Sequence, residues 1–378
     1  MDRELSCGII GCGVIAPTHA ESYKKLDGVQ IKWACDLVEE KALALAGQYG
    51  IPRTTTRYKE VFEDPDVDCI SVCTDHASHA PVSVAALESG KNVLCEKALG
   101  ATQEDLDAML EAHANRSSLV FSGVFQHRFD PVNRTLKWMV DEGMFGQLLT
   151  AGVQMRCLRT DEYYDSDEWR GTWAQEGGSV LINQTIHFID ALLWIVGGAE
   201  SVAGHYTNLT HNGSIETEDC AVASLKLNCG ALGIIEATSA SHLNWEPTIS
   251  IHGTEGSVEL RNDKPLKIEF ADPDRQKEVQ DKLASGELED SAAASKGYYG
   301  VGHPAQIADF IEAVRNGREP YVPAESARHA VDVVLGIYRS HREKTWIPCS
   351  IEAKPGKEGV TQESQKNFEP QQTTTRSR

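Results

Sequence analysis

The stretch "CGIIGCGVIAPTHAESYKKL", Cys7–Leu26, decides the fold. Cys7 to Ile10 is a short apolar run that predicts a buried strand, and "APTHAESYKKL" predicts a helix. Between them, Gly11-Cys12-Gly13-Val14-Ile15-Ala16 fits G-x-G-x-x-G/A. Gly11 permits the tight turn, and Gly13 lets backbone amides approach a pyrophosphate with no Cβ in the way. The small Ala16 lets the helix pack against the strand. Val14 and Ile15 lead into the helix, whose unpaired N–H groups and dipole favour an anion. The next strand, "QIKWACD", ends on Asp36, 20 residues after Ala16. A carboxylate there accepts from the ribose hydroxyls of NAD and repels a 2′-phosphate. No Arg stands in Leu37, Val38, Glu39 or Glu40 to hold such a phosphate. NAD is therefore the expected cofactor, with NADP possible. Asp36 also suits the N-cap of the following helix.

Outward from this turn, strand and helix alternate: "EEKALALAGQYG", "DCISVCT", "SHAPVSVAALESG", "NVLCE", "TQEDLDAMLEAHAN" and "SLVFSGV". That rhythm predicts a Rossmann-type, doubly wound parallel sheet with helices on both faces. Near Phe125 it changes. After the helix "PVNRTLKWMVDEG" come the strands "LLTAGVQMRCL", "SVAGHYTNL", "DCAVASLKL", "ALGIIEATS", "TISIHG" and "SVELR", with one helix among them and two after. These predict an α+β domain with a large open, mostly antiparallel sheet. The expected division is a dinucleotide-binding domain over 1–125, a substrate-binding and oligomerisation domain over 126–350, and a polar tail over 351–378. The acidic stretch 271–296 reads as a surface helix or excursion.

The net charge of −20 argues against a nucleic-acid partner and against an anionic membrane surface. No apolar run is long enough for a membrane span, and the start is not a signal peptide. The ten cysteines have no CxxC or zinc-ligand spacing, so no metal is expected. They read as buried thiols of a reduced, cytoplasmic protein.

"NVLCEKALG" places Glu96 and Lys97 at the C-terminal end of a strand, where open α/β sheets bind ligands. A lysine there reaches the nicotinamide end of a dinucleotide and can donate to a substrate oxygen. It could equally be a surface Glu–Lys couple. The helix in "EGGSVLINQTIHFIDALLWIVGG", Glu176–Gly198, carries Asn183, His187 and Asp190 at spacings of four and three. Asn183 and His187 share a face. His187 is either a core histidine satisfied by a carbonyl or by Asp190, or a general base. Before this helix, Trp169, Arg170 and Trp173 suit a cleft wall, the indoles covering sugar faces and Arg170 meeting an oxygen or phosphate, or else packing. Arg159, Tyr163 and His303 are weaker candidates, and Arg128 reads as structural or close to the cofactor.

The order of these parts resembles the glucose–fructose oxidoreductase/inositol dehydrogenase/rhizopine catabolism (Gfo/Idh/MocA) family, up to about residue 350. The resemblance rests on the glycine turn, "CTDHASHAPVSVAALESGKNVLCEKALG", "FQHRFDP", the Glu176–Gly198 stretch and "GHPAQIADFIEAVRNGREPYV". It implies hydride transfer between NAD or NADP and sugars, inositols, nucleotide sugars or related polyols. Lys97 is then the lysine of the Glu-Lys-Pro motif and His187 the helix histidine, on either side of the reacting carbon. Thr74 and His79 align with positions that line the cofactor, beside Glu96. A homodimer or homotetramer through the second sheet is also implied. Three departures from the pattern stand out: Ala98 for the motif proline, Thr74-Asp75-His76 for Thr-Pro-Asn, and Asn183 for a frequent aspartate. Asparagine cannot take a proton, which leaves the base role to His187 and favours a pyranoside-type substrate. Two other readings share these residues: an enzyme that uses tightly bound NAD transiently to cleave glycosidic bonds, and a non-catalytic dinucleotide-binding regulator.

Overall fold

The computed structural model describes residues 4–262, 264–284 and 302–349. The tail expected over 351–378, and the acidic stretch beyond residue 284, lie outside the described residues.

The first sheet has six parallel strands: β1 (Leu5–Ile10), β2 (Val29–Cys35), β3 (Arg53–Thr55), β4 (Cys69–Val72), β5 (Asn92–Cys95) and β6 (Phe121–Gly123). Their order is β3-β2-β1-β4-β5-β6, so the direction of winding reverses between β1 and β4. Helices α1 (Ala16–Lys24), α2 (Glu39–Tyr49), α3 (Tyr58–Glu63), α4 (His76–Glu88) and α5 (Gln103–Ala114) make the crossovers. With both faces covered, every residue of β1 and β4 is buried, which explains their mostly apolar character. At α5 the side chains of Thr102 and Asp105 cap each other's backbone N–H in a capping box. No periodicity announced β3 and α3, which are short and carry polar residues.

A 3₁₀ turn over Gln126–Phe129 leads into α6 (Pro131–Asp141) and the second sheet. Its strands are β7 (Leu148–Arg156), β8 (Ala199–Thr207), β9 (Cys220–Leu227), β10 (Leu232–Thr238), β11 (Thr248–Gly253), β12 (Gly256–Arg261), β13 (Lys264–Phe270) and β14 (Ile347–Pro348). The order is β13-β12-β11-β7-β10-β9-β8-β14, antiparallel throughout except for the parallel pair β7–β10. The helices are α7 (Asp161–Tyr164), α8 (Ile186–Val196), α9 (Pro273–Ala284), α10 (His303–Asn316) and α11 (Ala324–Glu343). Along β9 and β10 buried and exposed residues alternate. α8 and α11 pack against this sheet, while Val222, Leu232 and Ile234 stay exposed.

One apolar cluster runs from Val72 and Cys95 of the first sheet through Ile186 and Ile189 of α8 to Val153 and Ile249 of the second. The two sheets therefore share a core across the cleft. α10 returns to the first sheet: Ile307, Phe310 and Ile311 pack in the cluster that holds Cys7 and Ile9 of β1. Among the described residues, no helix is long and apolar enough to cross a membrane.

Candidate active site

Where the winding of the first sheet reverses, the glycine turn leaves β1. Gly11 has φ +90°, and a Cβ there would come within 2.4 Å of the Cys73 carbonyl oxygen, so no other residue fits. A Cβ on Gly13 would meet nothing within 4 Å. That open space in front of the start of α1 suits a pyrophosphate. Asp36 Oδ2 accepts from Cys12 N at 2.8 Å and Oδ1 from Val38 N at 2.9 Å. Asp36 thus latches the turn and the loop before α2, whose N-cap is Val38 and not Asp36 as expected, and its remaining lone pairs stay free for ribose hydroxyls. Val14 and Leu37 on either side are 84% and 88% exposed, an apolar flank suited to a flat base. Burial, then the Asp36 charge, pushes the Cys12 thiol up to about 12, so the turn carries no thiolate.

Glu96 and Lys97 follow β5. Glu96 is buried and accepts from His19 Nε2 at 2.9 Å, with His303 Nε2 at 3.6 Å. Burial opposes its charge, but the hydrogen bonds from the two histidines outweigh burial and hold the carboxyl well below the usual range. The Lys97–Ala98 peptide is cis. Lys97 Nζ donates to two oxygens of Asn183, the carbonyl at 3.0 Å and Oδ1 at 2.6 Å. Burial lowers the Lys97 pKa to about 8, against the pull of Glu96 and Glu176.

Asn183 sits on the site helix, which is not a continuous α-helix. Val180–Thr185 forms a π turn, and α8 begins only at Ile186. Such widened turns are frequent at functional sites. The start of the turn is capped from another loop: buried Glu218 accepts from Ser179 N and Leu181 N and from the Tyr338 hydroxyl. His187 follows in the first turn of α8. It is buried, its ring makes no hydrogen bond among the described residues, and Nδ1 has no partner there. Burial, followed by the nearby Lys97 ammonium and His127, presses its pKa far below the usual value. The ring is therefore neutral, its polar atoms unspent, beside a cation.

A family model described as "Oxidoreductase family, NAD-binding Rossmann fold" matches residues 5–124, and "Oxidoreductase family, C-terminal alpha/beta domain" matches 137–349. The chain belongs to the Gfo/Idh/MocA oxidoreductase family. It is an NAD-dependent oxidoreductase. The myo-inositol 2-dehydrogenase of Thermotoga maritima is 26% identical over 344 residues, 89% of this chain and 96% of that protein. The levoglucosan dehydrogenase of Pseudarthrobacter phenanthrenivorans is 25% identical over 304 residues, 71% of this chain and 77% of that protein. The crystal structure of the WlbA dehydrogenase from Bordetella pertussis, in complex with NADH and UDP-GlcNAcA, is similar with a TM-score of 0.82. It is 26% identical and covers 93% of this chain and 99% of that one.

Within this Gfo/Idh/MocA member, the structure brings Lys97 and Asn183 into contact and sets His187 close by, and it moves other expected residues elsewhere. Asp190 is spent on Arg128 and does not partner His187. Arg128 takes both its oxygens, Nε to Oδ2 at 2.8 Å and Nη2 to Oδ1 at 2.5 Å, in a fully buried pair. Trp173 is not part of the Lys97 cleft wall. Its indole donates to the Glu216 carbonyl and packs on Tyr206 and Tyr338, beside a separate 740 Å³ cavity that includes neither Lys97 nor His187. His79 faces a backbone carbonyl with each ring nitrogen, Ala98 at 2.6 Å and Thr74 at 3.2 Å. It therefore ties two loops together instead of reaching into open space. The Thr74 hydroxyl donates to the Asp75 carbonyl at 3.2 Å. Trp169 and Arg170 lie against the start of α4. The Trp169 ring lies 5.5 Å from that of His76, and the Arg170 guanidinium lies 4.7 Å over Trp169 while donating to Asp167 and to the Tyr163 hydroxyl.

Two further residues of the site, His19 and Glu176, escaped the sequence reading, and His76 entered it only as a departure from Thr-Pro-Asn. His19 lies on the buried stripe Ala16, His19, Ala20, Tyr23 of α1, a helical spacing that marks an inward-facing histidine. His76 holds the Glu176 carbonyl at 2.8 Å, which ties the start of α4 to the second domain. Glu176 itself is buried between Gly171 N and the Asn183 amide. The glycines at 177 and 178 break the helical register that would have shown it facing Asn183.

Proposed function

We propose that this chain transfers a hydride between NAD and a ring hydroxyl or ketone of a sugar, polyol or nucleotide sugar, with Lys97 and His187 at the reacting carbon and a pyranoside-type ring favoured. The observation that carries this reading is the meeting of the two domains at Lys97 and Asn183, one helical turn before a neutral, unspent His187. The relatives' names, inositol and levoglucosan dehydrogenases and a dehydrogenase holding a UDP-sugar acid, support the substrate class.

Bound NAD supplies the hydride acceptor. Gly11, Gly13 and the start of α1 hold its pyrophosphate, and Asp36 its adenosine ribose. An ammonium has three donors; Asn183 takes two from Lys97, and the third is free for the substrate oxygen. That hydrogen bond strengthens as negative charge builds on the oxygen during oxidation. His187 takes the hydroxyl proton as the carbon–hydrogen bond breaks. The resulting imidazolium faces the Lys97 ammonium and gives its proton up to water. Reduction uses the same groups in reverse. A screen of NAD and NADP against pyranosides, inositols and nucleotide sugars, following the absorbance of the reduced cofactor, tests the reading. Turnover of none of them would overturn it.

The ammonium form of Lys97 is the working form. It is present below its folded pKa and lost as pH rises through about 8. The turnover number should therefore fall on the alkaline side of about 8, measured with substrate and NAD saturating. A rate still rising well beyond that point would contradict the role given to Lys97.

The exposed face of the second sheet fits a second copy of this chain. Leu232 is 61% exposed and Ile234 53%, side by side with Val222. Ile234→Glu should shift the sedimenting species toward the monomer. An unchanged assembly would exclude this face as the interface. All ten cysteines are free, which suits the reducing cytoplasm.

A further inference from the structure

Glu176 has no part in the hydride-transfer scheme, yet it is only 1% exposed and lies directly behind it. Gly171 N donates to one of its oxygens and Asn183 Nδ2 to the other. A carboxylate only accepts, so it fixes which end of the Asn183 amide faces it. The opposite end, Oδ1, is thereby aimed at Lys97 Nζ, 2.6 Å away. Two further contacts hold this arrangement from the first domain: His76 on the Glu176 carbonyl, and Ala77 N on the Gln175 carbonyl at 3.0 Å. We infer that Glu176 is a positioning residue for Lys97: it aims the Asn183 amide at the ammonium and places a negative charge behind it. This rests on Lys97 acting at the reacting carbon.

The charges around the pair favour this role. Lys97 is also influenced by Glu96, Arg159 and Arg170, and it depresses the neutral histidines His76 and His187. The arginines push against the ammonium, and Glu96 is already engaged by His19 and His303. Glu176 is thus the carboxylate linked to Nζ through a single side chain. Tyr164 and Tyr338 also feel Glu176, but burial raises both hydroxyls, so they stay neutral. Burial raises the Glu176 carboxyl to about 7, opposed by Gly171 N, Asn183, Lys97 and Arg170. Its charge is therefore present above about 7, and the Lys97 ammonium below about 8.

The test is a pH titration of the full chain labelled with ¹³Cε-lysine, with the Lys97 signal assigned by its loss in Lys97→Met. In the unaltered protein that signal should show its main midpoint and a smaller inflection near 7, where Glu176 ionises. In Glu176→Gln the inflection should vanish and the midpoint should move down by about one pH unit. Glu176→Gln with Asn183→Asp moves the charge one side chain closer, and the midpoint should return to its original value or above. A Lys97 signal with no inflection below its main midpoint in the unaltered protein overturns the inference even if Glu176→Gln fails to fold. So does an unmoved midpoint in a folded Glu176→Gln. The functional reading fails separately, through normal turnover in Lys97→Met. An inactive Lys97→Met with an unmoved Glu176→Gln midpoint removes only the role of Glu176.

Discussion

Lys97→Met is expected to turn over about 10²- to 10³-fold more slowly while still binding NAD, as for the loss of one preorganised donor to a developing oxyanion. Methionine keeps most of the length and the apolar stem, so the effect isolates the ammonium. The loss should fall on kcat as well as on kcat/KM, because the third Nζ donor gains strength only as the oxygen gains charge. His187→Ala should cost about 10²- to 10⁴-fold through loss of the proton acceptor. The double variant should be little worse than the poorer single one, since both groups act on one oxygen. Steady-state rates and NAD binding by calorimetry check these values. Near-normal rates in both single variants would remove the assignment of the site. Lost NAD binding in Lys97→Met would instead show a lysine that holds the cofactor.

The second large effect concerns stability. Arg128→Met should cost about 3–5 kcal/mol, the range for removing one partner of a buried ion pair. Asp190 is buried, and Arg128 binds both its oxygens through two hydrogen bonds. Burial raises the Asp190 carboxyl against the pull of Arg128 and, less strongly, of His127, so losing the guanidinium leaves most of its desolvation uncompensated. Arg128 also donates to the Ser326 hydroxyl at 2.7 Å, linking the turn after β6 to α8 and α11. Denaturant unfolding measures the loss. Arg128→Met with Asp190→Leu should recover much of it, because the orphaned charge goes too. A loss below about 1 kcal/mol for Arg128→Met alone would mean that water reaches the pair.

The parts of this molecule that were legible in its amino-acid order are those set by local pattern. The strand–glycine turn–helix at Gly11 and the alternation up to β6 follow from periodicity and from a backbone position that only glycine fits. The later strands alternate because one face of their sheet is open. Side-chain partnerships across the fold were not legible. Asp190 stands three residues after His187, and local spacing paired them. Arg128, 62 positions earlier, binds it instead. The π turn left no periodic trace, because Val180, Leu181, Ile182, Gln184 and Thr185 are all buried and no exposed face marks the pitch. Strands β3 and β14 are too short for a pattern, and the residues of β13 are mostly exposed. Of the site itself, strand end and helix made Lys97 and His187 candidates and the family resemblance gave them their roles, whereas Glu176 needed the three-dimensional fold.

The most direct test of the central claim follows the hydrogen atom. A substrate found in the screen, deuterated at the ring carbon that bears the reacting hydroxyl, is incubated with the enzyme and NAD, and the reduced nicotinamide is examined by mass spectrometry. The account predicts one deuterium in each reduced cofactor, in proportion to ketone formed, with both lost together in His187→Ala. Product that accumulates without deuterated, released NADH would contradict it.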